Sequence, residues 1–405
     1  MTTGAAQSGI IIETVAGDGE PGYAGDGGLA VAASLNEPKG LCVDAQGNLY
    51  IADSENHVVR RVDRGTGLIT TVAGSEPAGK AGPVPPPEPT VVQTAEDDDP
   101  FADSSDDKTK AYTQVTDLSG TVRYVTGGRL TVEQDSGDGG PARRARLNFP
   151  SAVAVDRAGN LYIADTMNHR IRKVDATTGI ISHVAGTGQA RYSGDGGPAA
   201  QAAINEPTGL AVNDESLYIA DQSNNRVRRV DLATGVISTV AGDGTAAYSG
   251  DQVPATEASL AGPSGVALGA DGLLYIADTF NSRIRSVDPT TGQIATVAGD
   301  GSPYRYQGPE EPHSASISRP AAIAAGGDGR MYMTDSDSHL IRVWDGRAKT
   351  ITRLSGTGVA QYGGDGGEAL AGSLSYPFGV AVDASGTVYV ADTFNHRIRV
   401  LTASA

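Results

Sequence analysis

The chain has 405 residues, with 31 Lys+Arg against 48 Asp+Glu, a formal net charge of −17. That balance argues against a nucleic-acid partner, whose affinity rests on clustered Lys and Arg, and no apolar run approaches the ~18 residues of a membrane span. The single cysteine, Cys42, excludes an internal disulfide. The first residues lack a basic segment and a small-residue cleavage site, so a cytoplasmic chain is expected.

In chain order, the first predicted element is a lone strand at 10–17. A unit at 38–74 follows, and its Leu49-Tyr50-Ile51-Ala52-Asp53 recurs as Leu161 to Asp165, Leu217 to Asp221, Leu274 to Asp278, Met331 to Asp335 and Val388 to Asp392. Seven residues after each Asp stands an arginine: Arg60, Arg172, Arg228, Arg285, Arg342 and Arg399. Prolines open the units at 38, 150, 207, 263, 320 and 377, so the spacing is 112 once and then 56 or 57. The double spacing predicts a degenerate unit at 89–127. In it Pro100-Phe101-Ala102-Asp103 stands for the Asp-ending strand, Lys110 for the arginine, and 120–127 for a closing strand. The alternative is an insert, proline-rich at 83–89 and acidic at 96–99. Regular units follow at 150–186, 207–242, 263–299 and 320–356, and 377–401 holds only three strands.

A full unit carries four short apolar runs, as in Leu210-Ala211-Val212, Leu217 to Ala220, Arg226 to Val230 and Val236 to Val240. Such β-branched runs between turn residues read as strands. Four strands at a fixed period predict an all-β fold, a single β-propeller over 1–405. Seven blades are expected, one of them degenerate, with six blades plus an insert as the alternative. The strand at 10–17 completes the last blade and removes its exposed edge.

The stretch Asp165-Thr166-Met167-Asn168-His169-Arg170-Ile171 and its copies resemble the NHL repeat, named for Asn-His-Leu. Asn-His stands at Asn56-His57, Asn168-His169 and Asn395-His396, and varies to Asn224-Asn225, Asn281-Ser282 and Ser338-His339. The resemblance covers nearly the whole chain, with 75–119 its weak part. It implies a propeller, usually of six blades, whereas the period here favours seven. It also implies a platform for protein or RNA or a sensor domain, while related propellers include antibiotic lyases and the amidating lyase of peptide hormones.

Most repeated residues read as structural. Each strand-ending Asp is expected to cap a turn and pair with the arginine seven later, and the Asn-His histidines to hold turns. The Gly-Asp-Gly-Gly linkers lack the Gly-Lys-Ser/Thr of a phosphate loop and the further ligands of a calcium loop. No zinc spacing occurs, and no Gly-x-Ser-x-Gly elbow. No metal and no cofactor are expected. Residues that depart from the repeat are the better functional candidates. Linkers and second-to-third-strand turns share one face of a propeller, so Met167, Phe280 and Phe394 in the turns should meet Arg191, Tyr192, Tyr248, Tyr304, Arg305 and Tyr362 of the linkers there. The expected function is binding of a small molecule or a protein at this mouth by a monomer. The alternative is a lyase- or cyclase-type enzyme acting on a partly apolar metabolite in the central depression.

Overall fold

The computed structural model describes residues 9–75, 112–116, 122–126, 137–303 and 311–404. Two compact units emerge, one of 1–77 with 136–405 and one of 78–135. In the smaller unit, Tyr112–Thr116 and Val122–Thr126 pair as an antiparallel hairpin. Among the described residues no helix is long and apolar enough to cross a membrane.

The larger unit is a ring of six antiparallel blades of four strands, two of them extended by a further two-residue strand, here I to VI in chain order. Blade II shows the pattern: Pro150–Val155 innermost, then Leu161–Asp165, Arg170–Val174 and Ile181–Ala185 outermost. The second strand is buried along its whole length because blades cover both of its faces, which is why Leu-Tyr-Ile-Ala-Asp does not alternate with polar residues. Blade VI takes three strands from the C-terminus and its fourth, Ile10–Ala16, from the N-terminus, paired with Arg397–Ala403. Ile12 and Ala16 of that strand are fully buried, so the ring closes as expected.

Six blades replace the expected seven. Blade I packs directly on blade II: Ala52, Val59 and Ala73 share one apolar layer with Ala142, Val153 and Ile163. The Ser54 hydroxyl donates to Pro150 O at 2.7 Å across the same junction. Linker hydrogen bonds locate the misreading. The N–H of Gly17, Gly186, Gly242, Gly299 and Gly356 each donates to the carbonyl thirteen residues on, as Gly186 does to Ala199. Gly74 makes the same bond to Ala142, sixty-eight residues on. The extra fifty-five residues therefore lie within one linker, and their length mimics a unit of 56. Of the expected degenerate blade at 89–127, residues 112–116 and 122–126 form the hairpin above, and 100–103 and Lys110 lie outside the described residues.

Along the ring axis the innermost strands approach closely. A Cβ at Gly209 would collide with Ser264 O, and one at Gly379 with Lys39 O. The axial cavity, lined by Ser151, Thr208, Ser264, Ala321 and Phe378 among others, holds about 60 Å³. Cys42 lies on the innermost strand of blade I against the blade I–II layer, where burial and the nearby Asp44 push its thiol up.

Candidate functional site

The mouth is built from the turn that follows each strand-ending Asp. In all six blades the Asp and the Arg seven later are fully buried and paired, at 3.1 to 3.5 Å. In blade III, Asp221 also accepts the Asn205 backbone N–H at 2.7 Å and the Asn224 amide at 2.9 Å. Arg228 turns its other nitrogen to Asp195 of the glycine linker, so that linker carboxylate is taken up by the buried arginine. Asp26, Asp138, Asp251 and Asp365 do the same. Burial pushes the Asp53 and Asp335 carboxyls up to about 6, while the N–H donors and the guanidinium favour the anion.

The rest of the turn joins one blade to the next. The residue after the Asp donates to the opening proline's carbonyl of the following blade: Thr166 to Pro207 at 2.7 Å, Thr279 to Pro320 at 2.8 Å, Ser336 to Pro377 at 2.7 Å and Thr393 to Pro38 at 2.8 Å. At the III–IV junction Gln222 reaches the Ser264 hydroxyl instead. The Asn amide ties the turn to its own linker, as Asn224 does through Arg191 O. The fifth residue sits in the left-handed region, with φ of 57° at His57 and 53° at His396. Its ring Nδ1 accepts the N–H of the residue before the next proline: His57 from Phe149, His169 from Glu206, His339 from Tyr376 and His396 from Glu37, at 3.0 to 3.2 Å. Asn225 accepts from Gly262 in the same way. The histidines thus join blades rather than holding their own turns, and burial lowers the pKa of His169 and His396.

One turn position lends no side chain to this frame: the residue two after the Asp, which enters it through the backbone N–H, as Met167 to Asn148 O and Phe394 to Ser375 O. It is Glu55, Met167, Ser223, Phe280, Asp337 and Phe394 around the ring. Beside it stands the residue before the blade's proline: Glu37, Phe149, Glu206, Gly262, Arg319 and Tyr376, all at φ of 46–56°. The paired columns differ in every blade. Phe280 is 59% exposed and lies over Gly262, with the Arg319 guanidinium 5.6 Å from its ring. Phe394 is 44% exposed, its ring 5.1 Å from Tyr376 and 6.1 Å from Phe378. The Lys39 ammonium lies 3.9 Å from the Phe149 ring and 5.7 Å from Phe378.

The expected site residues divide. Met167, Phe280 and Phe394 occupy the free turn column. Tyr192, Tyr248 and Tyr362 belong to the frame: each stacks 3.9 Å from a strand arginine (Arg226, Arg283 and Arg397) and 4.8 to 5.0 Å from the buried arginine. The Tyr192 hydroxyl bonds Asp195. Arg191 is exposed, and Tyr304 and Arg305 lie outside the described residues. Sequence reasoning missed Glu37, Lys39, Phe149, Tyr376 and Phe378. Aligning the units on their prolines exposes them, because the flanking positions vary around the ring where the signature positions repeat. Among the described residues no three His, Cys, Asp or Glu side chains converge as a metal site would require.

The teneurin NHL domain model matches residues 12–93 and 108–193, and the NHL repeat model matches 260–285 and 374–401. The protein Suppressor of Quenching 1, chloroplastic, of Arabidopsis thaliana is 32% identical over 269 residues, covering 64% of this chain and 25% of that one. NHL repeat-containing protein 2 of Gallus gallus is 29% identical over 317 residues, covering 71% and 43%. The chain thus spans a quarter to less than half of the length of these curated relatives. A crystal structure of a protein of unknown function from Bacteroides thetaiotaomicron superposes with a TM-score of 0.64 at 15% identity, over 98% of this chain and 76% of that one; it shares the fold. With six blades carrying the Asp-x-x-Asn-His turn or a variant of it, and these matches, the chain belongs to the NHL-repeat β-propellers.

Proposed function

We propose that the chain is a binding platform that receives a segment of another protein across the mouth. The observation that carries this is the free turn column: every other turn residue is consumed by the frame, and this one presents the exposed rings of Phe280 and Phe394. Exposed aromatic side chains on a rigid support are the usual energetic anchors of protein interfaces. Volume weighs against an enclosed metabolite. Small-molecule sites occupy roughly 300–1,000 Å³, and the axial cavity offers about 60 Å³.

Site-specific photo-crosslinking tests the reading. A benzophenone side chain replaces Phe280 or Phe394, and in controls Leu29 or Val236, which are 56% and 37% exposed away from the mouth. The mouth positions should capture one partner that then binds the purified chain directly. Equal capture from the control positions would refute the mouth as the platform.

A further inference from the structure

The paired columns around the mouth carry a chemical pattern that goes beyond exposure. Blade I presents two acids, Glu37 and Glu55, and the blades on either side present apolar pairs: Tyr376 and Phe394 on blade VI, Phe149 and Met167 on blade II. Elsewhere the charged side chains of the columns have partners. Asp337 faces Arg319 at 3.6 Å, and Glu206 accepts the Ser223 hydroxyl. In blade I the two carboxylates accept no such bond. Among the described residues no N–H or O–H donates to the Glu37 or Glu55 carboxylate, and Lys39 is the one cation set against both. Two carboxylates against one ammonium leave a surplus negative charge in a half-buried, aromatic-walled sector.

We propose that this sector receives a basic side chain, lysine or arginine, of the partner polypeptide, seated on the Phe394 and Tyr376 rings beside Glu37 and Glu55. The inference rests on the platform reading above. Lys39 supplies an internal precedent, since its ammonium already lies over two aromatic faces and within the field of the same carboxylates. The ring faces are electron-rich and attract a cation; the carboxylates add charge complementarity in a site partly shielded from water. Burial and the like charge of Glu55 raise the Glu37 carboxyl, with Lys39 opposing, as expected where one more cation would be gained. The backbone there is firmly set, because the Glu37 N–H is held by His396 Nδ1 at 3.2 Å and the Thr393 hydroxyl holds Pro38 O.

The test is a chemical-shift titration of the full chain at low salt with three capped peptides, Ac-Gly-Ala-X-Ala-Gly-NH2, where X is Arg, Gln or Glu. The Arg peptide should shift the amides of Glu37, Glu55 and Phe394 and bind about fivefold tighter than the Gln peptide. Glu37→Gln with Glu55→Gln should erase that preference, and Phe394→Ala should weaken the Arg peptide. Should the double variant misfold, the preference in the unmodified chain must shrink as salt is raised. A preference for the Glu peptide that Lys39→Met removes would overturn the proposal. So would an undiminished Arg preference in the folded double variant, or no shift at the mouth with any peptide. Equal binding of all three, lost in Phe394→Ala, would sink the basic side chain and leave the platform standing.

Discussion

The buried frame and the mouth are built from the same turn, yet they obey opposite rules. Within Asp-x-x-Asn-His, the Asp and its distant Arg are present and fully buried in all six blades. The position two after the Asp is Glu, Met, Ser, Phe, Asp and Phe in turn. A residue held constant by the ring's own hydrogen bonds has no freedom to specify a ligand. A residue that touches little of the ring is free to do so. Stability should therefore be lost at the repeated positions and recognition at the varied ones.

The largest loss is expected from removing residues 1–16. Blade VI would lose its outermost strand, with buried Ile12 and Ala16, and expose an unpaired edge. The truncated chain should aggregate or lose its cooperative thermal transition. A melting curve like that of the full chain would contradict ring closure by this strand.

Arg228→Met should rank next. It strands buried Asp221 and leaves Asp195 without its cation, a loss of about 3–5 kcal/mol in chemical denaturation. Adding Asp221→Asn and Asp195→Asn should restore part of it, because the carboxylates no longer need a partner. No recovery would show that the arginine acts through packing rather than charge.

The histidines sharpen the frame in a milder way. His169 and His396 have folded pKa values lowered by burial, so the folded chain binds fewer protons than the unfolded one. Their contribution is present above the unfolded value of about 6.5 and lost as pH falls toward the folded values. Asp53 and Asp335, raised to about 6, act in the opposite sense and lose stability as pH rises through that value. Replacing His57, His169, His339 and His396 by Asn copies the Asn225 junction, whose Oδ1 accepts the same N–H without titrating. The variant should lose less melting temperature between pH 7.5 and 5 than the native chain. An unchanged pH profile would mean that the histidines are not the acid-sensitive links.

How much of this was legible in the sequence follows the same division. The Asp–Arg pairing, the strand order within blades and the N-terminal closure could be read because they repeat. The blade count could not, since an insert of fifty-five residues has the length of one unit, and the two are distinguished by the direct packing of blade I on blade II and the Gly74 to Ala142 bond. The linker tyrosines repeat, and their stacking on arginine assigns them to the frame. Glu37, Lys39 and Tyr376 flank the opening prolines, away from any signature; the pairing of strands within a blade sets Tyr376 beside Phe394, and Lys39 meets Phe149 and Phe378 only when blades VI, I and II close side by side.

The central claim is that recognition lies in the varied column of the mouth. Its most direct measurement is the affinity of the crosslinked partner, once purified, for the native chain and for Phe280→Ala with Phe394→Ala. Both rings are substantially exposed, so the melting temperature should hardly move. Binding should weaken about tenfold or more, as expected for lost aromatic anchors. Native affinity in a folded double variant would contradict the claim.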